Sequence, residues 1–170
     1  MIDPIAIRLR VNGTERIAAV EPRTMLADLL REQFGQSDVR ISCDQGVCGV
    51  CTVLIDGKPA TACLTPAFTV DGCEVTTVQG LTEELTALSD VQRAFIECSA
   101  FQCGYCTPGM VLSATALLAQ HPMPDRQTIL DWLDANICRC TGYQVIVEAI
   151  QLAAARRQQK QPTRIAEVAD

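Results

Sequence analysis

The sequence predicts an α+β chain in two halves: a small sheet with one helix, then an all-helical segment. Two observations predict this. Through the first half apolar residues alternate with polar ones between Asn-Gly and Asp-Gly turn signals, and through the second they recur at three- and four-residue intervals. A third observation bears on chemistry: ten cysteines stand against one histidine in 170 residues.

Ile5, Ile7, Leu9 and Val11 alternate with Arg8 and Arg10 in a first strand, and Asn12-Gly13 turns the chain into a second near 17–20. Leu26, Leu29, Leu30 and Phe34 then recur at helical spacing. Val53 to Ile55 and Ala60 to Cys63 flank Asp56-Gly57 as a second hairpin, and 75–78 reads as a closing strand. Strand, strand, helix, strand, strand, with the closing strand, around one core is an α+β arrangement. In the second half, Ser89 to Gln92 is a capping box ahead of Val91, Ala94, Phe95 and Cys98. Val111, Ala114, Leu117 and Leu118 mark the next helix, which His121-Pro122-Met123-Pro124 ends. Ile129, Trp132 and Leu133 mark a third, and Val145, Ala149, Leu152 and Ala153 a fourth. Short antiparallel helices of this kind suit a bundle. The joint lies near 79–88, giving domains at 1–79 and 86–158 and a C-terminal tail at 159–170. The polar stretch from Arg156 is expected to fray.

Composition narrows the chemistry. With 48% apolar but only 4% aromatic residues, the chain gains little burial from large side chains, so a metal centre would help it fold. A net charge of −6 argues against nucleic acid and against anionic membrane surfaces. The start alternates apolar and polar residues and offers no secretory h-region, and no apolar run is long enough for a bilayer span. The expected address is cytoplasmic, where thiols stay reduced, so the cysteines point to metal and not to disulfides.

The cysteines sort into two sets. Cys43, Cys48 and Cys51 have the C-x4-C-x2-C spacing of plant-type [2Fe–2S] proteins, with Cys63 the candidate fourth ligand. Gly46 and Gly49 between them let the backbone fold tightly and turn N–H groups toward sulfur. The hairpin 53–62 would return Cys63 to the loop, since adjacent strands lie roughly 5 Å apart. Cys103, Cys106, Cys138 and Cys140 form the second set, a Cys-x-x-Cys and a Cys-x-Cys placed at facing helix N-termini. There the positive helix ends would lower thiol pKa values. Thr107-Pro108-Gly109 opens one helix and Thr141-Gly142 does similar work for the other. A structural zinc site accounts for one set only, and Cys-x-Cys is unusual for it. Thioredoxin-like redox chemistry wants a βαβ context that is missing. Cys73 and Cys98 are left over, and Cys98, on an apolar stripe, reads as a core thiol.

With "CDQGVCGVCTV" at 43–53, "ACL" at 62–64, "QCGYCTPGM" at 102–110 and "NICRCTGY" at 136–143, the chain resembles the small iron–sulfur subunit of the molybdenum hydroxylases, the xanthine dehydrogenase, aldehyde oxidoreductase and carbon monoxide dehydrogenase superfamily. The likeness covers about 5–155. Val50, where the family more often has Ala, and Ala135, often Gly, are departures that touch no ligand. The resemblance implies a β-grasp plant-type ferredoxin domain followed by a four-helix [2Fe–2S] domain, with one cluster in each. It implies an electron-transfer subunit that takes electrons from a molybdenum–pterin centre on a large subunit. They would pass through the helical-domain cluster, then the ferredoxin-like one, to an FAD subunit or other acceptor.

The implied pterin cofactor is of the molybdopterin cytosine dinucleotide type, and Gln102 and Cys140 are its implied contacts. "CGYCTPGM" resembles the members with separate FAD and molybdenum subunits, hence a heterotrimer or its dimer, and the substrate expected is an N-heteroaromatic compound or an aldehyde. No catalytic residue is expected on this chain: it carries no G-x-G-x-x-G, P-loop or nucleophile–His pair, and His121 reads as a surface residue. Met110 and Trp132 read as packing residues, and Arg156, Arg157 and Lys160 as a solvated cluster. Arg139, between two ligands, either balances cluster charge or is simply exposed. The alternative function is a free-standing two-cluster ferredoxin.

Overall fold

The structure is a computed structural model that describes residues 3–82 and 87–160. Strands β1 (Ile5–Val11) and β2 (Thr14–Val20) pair antiparallel from Ile5 opposite Val20 to Val11 opposite Thr14. Asn12 and Gly13 both take positive φ, 52° and 76°, the pair of left-handed residues whose twist matches the hairpin. The alternation buries Ile7, Leu9 and Val11, while Ile17 on β2, an edge strand, stays exposed. Helix α1 (Leu26–Asp28) runs into a π-helical turn, Leu29–Gln33, and together they bury Leu26, Ala27, Leu29 and Leu30 in the sheet's core. Strands β3 (Thr52–Ile55) and β4 (Lys58–Thr61) form the second hairpin, and β5 (Glu74–Thr76) completes a five-stranded sheet in the order β2-β1-β5-β3-β4. β5 lies parallel to β1 and antiparallel to β3.

Two of these strands are shorter than the sequence predicts. β5 stops at Thr76, and Val78 enters a 3-10 turn (Val78–Leu81). Asn12 explains the stop: its Oδ1 accepts the Thr77 N–H at 2.8 Å and its Nδ2 donates to Thr77 Oγ1 at 2.9 Å, which pins the chain as it leaves the sheet. β4 ends at Thr61, so Cys63 stands just beyond its strand.

The second half carries helices α2 (Asp90–Glu97), α3 (Thr107–Gln120), α4 (Arg126–Leu133) and α5 (Gln144–Lys160). Ser89 and Gln92 form the capping box on α2, and Asp125 caps α4 by accepting the Thr128 N–H. The helices share a core of Phe95, Met110, Leu117, Ile129, Leu133, Ile146 and Ile150. The fraying expected from Arg156 is corrected: α5 continues to Lys160, and Arg156 pairs with Glu97 across from α2. The tail from 161 lies outside the described residues. Leu54, Leu112 and Ala116, flanked by Val78, Leu81 and Trp132, join the sheet to the helices. Among the described residues no helix is long and apolar enough to cross a membrane.

Candidate metal centres

Cys43, Cys48 and Cys51 occupy the loop that leads into β3. The β3–β4 hairpin returns the chain so that Ala62 N–H meets the Cys51 carbonyl at 3.3 Å and Cys63 N–H reaches Cys51 Sγ at 3.4 Å. The thiols of Cys51 and Cys63 lie within hydrogen-bond reach, as do those of Cys43 and Cys48. Gln45 N–H approaches Cys43 Sγ at 3.4 Å. Backbone donors therefore do face sulfur, and Gly46 and Gly49, both at positive φ (69° and 66°), shape the loop that aims them.

The electrostatics of this set are split. The N–H of Gln45, then those of Cys48 and Val47 with the Cys48 thiol, lower the Cys43 pKa to about 6. Burial, with the neighbouring Cys63 and Cys48 thiols, pushes Cys51 up to about 12. Half-buried Cys43 and buried Cys51 thus sit in opposite environments within one four-thiol set.

The second set gathers from two connections. Cys106 is the N-cap of α3, Cys103 lies three residues ahead of it, and Cys138 and Cys140 lie in the loop from α4 to α5. Cys103 and Cys140 stand 3.6 Å apart at sulfur, and the Cys106 and Cys138 thiols are mutual neighbours. All four line a cavity of about 180 Å³. Helix ends do not lower these thiols as the sequence suggests. α5 begins only at Gln144, well past Cys140, and at the α3 N-cap burial pushes Cys106 up to about 12. Cys138 is raised by burial, but the Thr141 hydroxyl and backbone N–H outweigh that, and the net shift is downward. The Tyr105 N–H, then the Cys140 thiol, lower Cys103.

The two sets adjoin. Cys48 shares the wall of the second cavity, and Ile137 N–H donates to the Cys48 carbonyl at 2.8 Å. Asn136, 3% exposed, donates through Nδ2 to Gly49 O at 2.9 Å and to Thr52 Oγ1 at 3.3 Å. A Cβ on Gly109 would come within 2.5 Å of Gly49 O. On the far side Arg40 donates to the Gly104 carbonyl and lies over the Tyr105 ring at 5.3 Å, while Tyr105 OH donates to Ile41 O at 2.7 Å. Sequence reasoning missed Arg40, Asn136 and Tyr143, and it read Thr141 as opening a helix that in fact begins at Gln144; the Thr141 hydroxyl instead faces Cys138. Glycines at 49 and 109 were the only hint that two backbones meet.

The remaining residues fall as follows. Gln102, Cys103 and Cys140 are exposed together, and Arg139 is exposed on the rim of the second cavity. Cys98 is the C-cap of α2, half-buried against the helical core, and Cys73 packs at the edge of the sheet core. Met110 is fully buried; Trp132 is half-buried, donates to Ser113 O at 3.0 Å and meets exposed His121 edge-on at 6.3 Å.

All ten cysteines are free thiols. Each set presents them as neighbouring pairs, and among the described residues no three His, Cys, Asp or Glu side chains gather round a single ion position. A two-iron cluster with four cysteine ligands takes two thiolates on each iron, so paired soft donors, backbone N–H groups aimed at sulfur and a cavity walled by four thiols fit it.

Residues 9–68 match the family described as 2Fe-2S iron-sulfur cluster binding domain, and 77–151 the family described as [2Fe-2S] binding domain, so the chain carries two [2Fe–2S] clusters. It is 45% identical over 148 residues to the nicotine 6-hydroxylase small subunit of Paenarthrobacter nicotinovorans, covering 87% of this chain and 88% of that one. It is 43% identical over 155 residues to the nicotinate dehydrogenase small FeS subunit of Eubacterium barkeri, covering 91% and 98%. Among solved structures, quinoline 2-oxidoreductase from Pseudomonas putida 86 superimposes with a TM-score of 0.87 at 42% identity, covering 93% of this chain and 98% of that one.

Proposed function

The chain belongs to the small iron–sulfur subunits of the molybdenum hydroxylases, and from that premise we propose that it conducts electrons from a molybdenum–pterin centre on a large partner subunit to an FAD-bearing subunit. The observation that carries this reading is the adjacency of two four-thiol sets, linked by the Cys48–Ile137 hydrogen bond. Cys43, Cys48, Cys51 and Cys63 would hold one [2Fe–2S] cluster, and Cys103, Cys106, Cys138 and Cys140 the other. When bound, these clusters supply one-electron chemistry at a potential set by hydrogen bonds and exposure. The finer fold reading is a β-grasp unit at 1–79 and a four-helix unit at 86–158, and the element order supports it.

Burial of Cys51, Cys63 and Cys138 keeps water from the inner edge of each set, where charge is hardest to solvate. The outer edges differ. Around exposed Cys103 and Cys140 lie Gln102 and the half-exposed apolar Phe101, Tyr105 and Ile137, a surface suited to the large subunit. Gln102 offers both an amide donor and an acceptor to a pterin edge. Beside Cys43 lie exposed Val47 and Leu64, suited to the subunit that accepts electrons. The assembly proposed is a heterotrimer, or its dimer, in the cytoplasm, acting on an N-heteroaromatic compound or an aldehyde, with a molybdopterin cytosine dinucleotide in the large subunit. The named relatives acting on nicotine and nicotinate favour the heteroaromatic class.

Copurification tests the assembly, since a free-standing ferredoxin would come away without a molybdenum partner. In the assembled complex, Gln102→Leu is expected to slow reduction by substrate while dithionite still reduces both clusters at the normal rate. Normal reduction by substrate with slow FAD reduction would mean the orientation is reversed.

A further inference from the structure

We propose that the Thr141 hydroxyl is a built-in hydrogen-bond donor to Cys138 that raises the reduction potential of the second centre. The proposal rests on the reading of Cys138 as a cluster ligand. Thr141 Oγ1 lies 3.2 Å from Cys138 Sγ, and the same oxygen accepts the Tyr143 N–H at 3.2 Å. A hydroxyl has one hydrogen and two lone pairs. One lone pair here is engaged by Tyr143, and a ligating sulfur has no hydrogen to give, so within this contact the Thr141 hydroxyl is the one group able to donate.

The loop is built to hold this arrangement. Tyr143 sits at φ +68°, a left-handed conformation that is an outlier for a bulky residue and persists only where its surroundings fix it. Its phenol supplies the restraint: the oxygen accepts the Cys138 N–H at 3.0 Å and its hydrogen goes to Asn136 O at 3.2 Å. One strained residue thus clamps both Cys138 and the hydroxyl that faces it. Cys138 is only 8% exposed, so water is a poor substitute for the missing donor. Reduction adds negative charge to the centre, and a donor on a charged sulfur stabilises the reduced form more than the oxidised one. Thr141 is therefore a positioning residue that tunes the potential without touching substrate.

The test is an EPR-monitored redox titration of the purified complex carrying wild-type chain, Thr141→Val or Thr141→Ser. Thr141→Val is expected to keep its iron and leave the first cluster's midpoint alone. The second midpoint should become more negative, by about 59 mV if reduction is disfavoured about tenfold. Thr141→Ser, which keeps the hydroxyl, should restore the wild-type value. An unmoved midpoint in Thr141→Val, or a Ser variant that behaves like Val, would overturn the proposal. Should Thr141→Val lose the second cluster, resonance Raman of wild type in H2O and D2O reads the same bond. An isotope shift in the iron–cysteine stretch supports it, and no shift overturns it. A wild-type complex lacking a second cluster signal would instead sink the ligand assignment beneath the proposal.

Discussion

Replacing Gly49 by Ala should damage the chain far more than the same change at Gly35, although both glycines hold nearly the same φ, +66° and +69°. The left-handed backbone costs an L-residue about 1–2 kcal/mol at either position. At Gly35 an added Cβ meets nothing within 4 Å, so that cost is the whole effect. At Gly49 the methyl would run into the Ala135 carbonyl and come within 2.5 Å of Asn136 Nδ2. Those are backbone and a buried amide, with no flexible end to swing away. Overpacking of this kind costs about 1–3 kcal/mol, and losing the Asn136–Gly49 hydrogen bond about 1 kcal/mol more. The excess over Gly35→Ala is then about 3 kcal/mol, which at about 2–4 °C per kcal/mol is a further fall of about 6–12 °C in apparent Tm. Differential scanning calorimetry of the two cluster-loaded variants at one scan rate measures the difference directly. Equal Tm values would refute the close approach of the two loops.

Cys103→Ser and Cys138→Ser should each lose about half the iron and weaken the helical half, because a cluster's binding energy is also folding energy. Cys98→Ala, changed at a half-buried C-cap, should keep all the iron and cost on the order of 1 kcal/mol; iron loss there would overturn the sorting of the cysteines. In metal-free chain, iodoacetamide at pH 7 should label Cys43, whose pKa is lowered to about 6, well before Cys51 and Cys106, which burial holds near 12. Lowering the pH through 6 should reprotonate Cys43 and slow its labelling, whereas raising it to 9 should leave the other two unreactive. Equal labelling at pH 7, followed by mass spectrometry, would contradict these environments.

The alternation of Ile7, Leu9 and Val11, the two hairpin turns and the capping box were legible because each is a local signal, decided within a few residues. So was the return of Cys63, since a hairpin after Cys51 fixes where the chain comes back. The parallel pairing of β5 with β1 was not legible, because it joins Glu74 to Arg10 across most of the sheet unit. The π-turn at Leu29–Gln33 also escaped, since Leu26, Leu29, Leu30 and Phe34 suit an α-helix equally well. Cys106 is instructive in another way. Its place at a helix N-cap was read correctly, but the sign of its pKa shift depends on how deeply the cap is buried, which no local pattern records. The same holds for Arg40, Asn136 and Tyr143, whose partners come from distant loops or from a backbone conformation rare for their type.

Iron and acid-labile sulfide counted together with integrated EPR of the dithionite-reduced protein test the central claim most directly. Two complete four-cysteine sets predict about four iron and four sulfide per chain, and two distinct signals of about one spin each. Zinc in place of iron, with no visible absorption, or a single signal on two irons per chain, would contradict it.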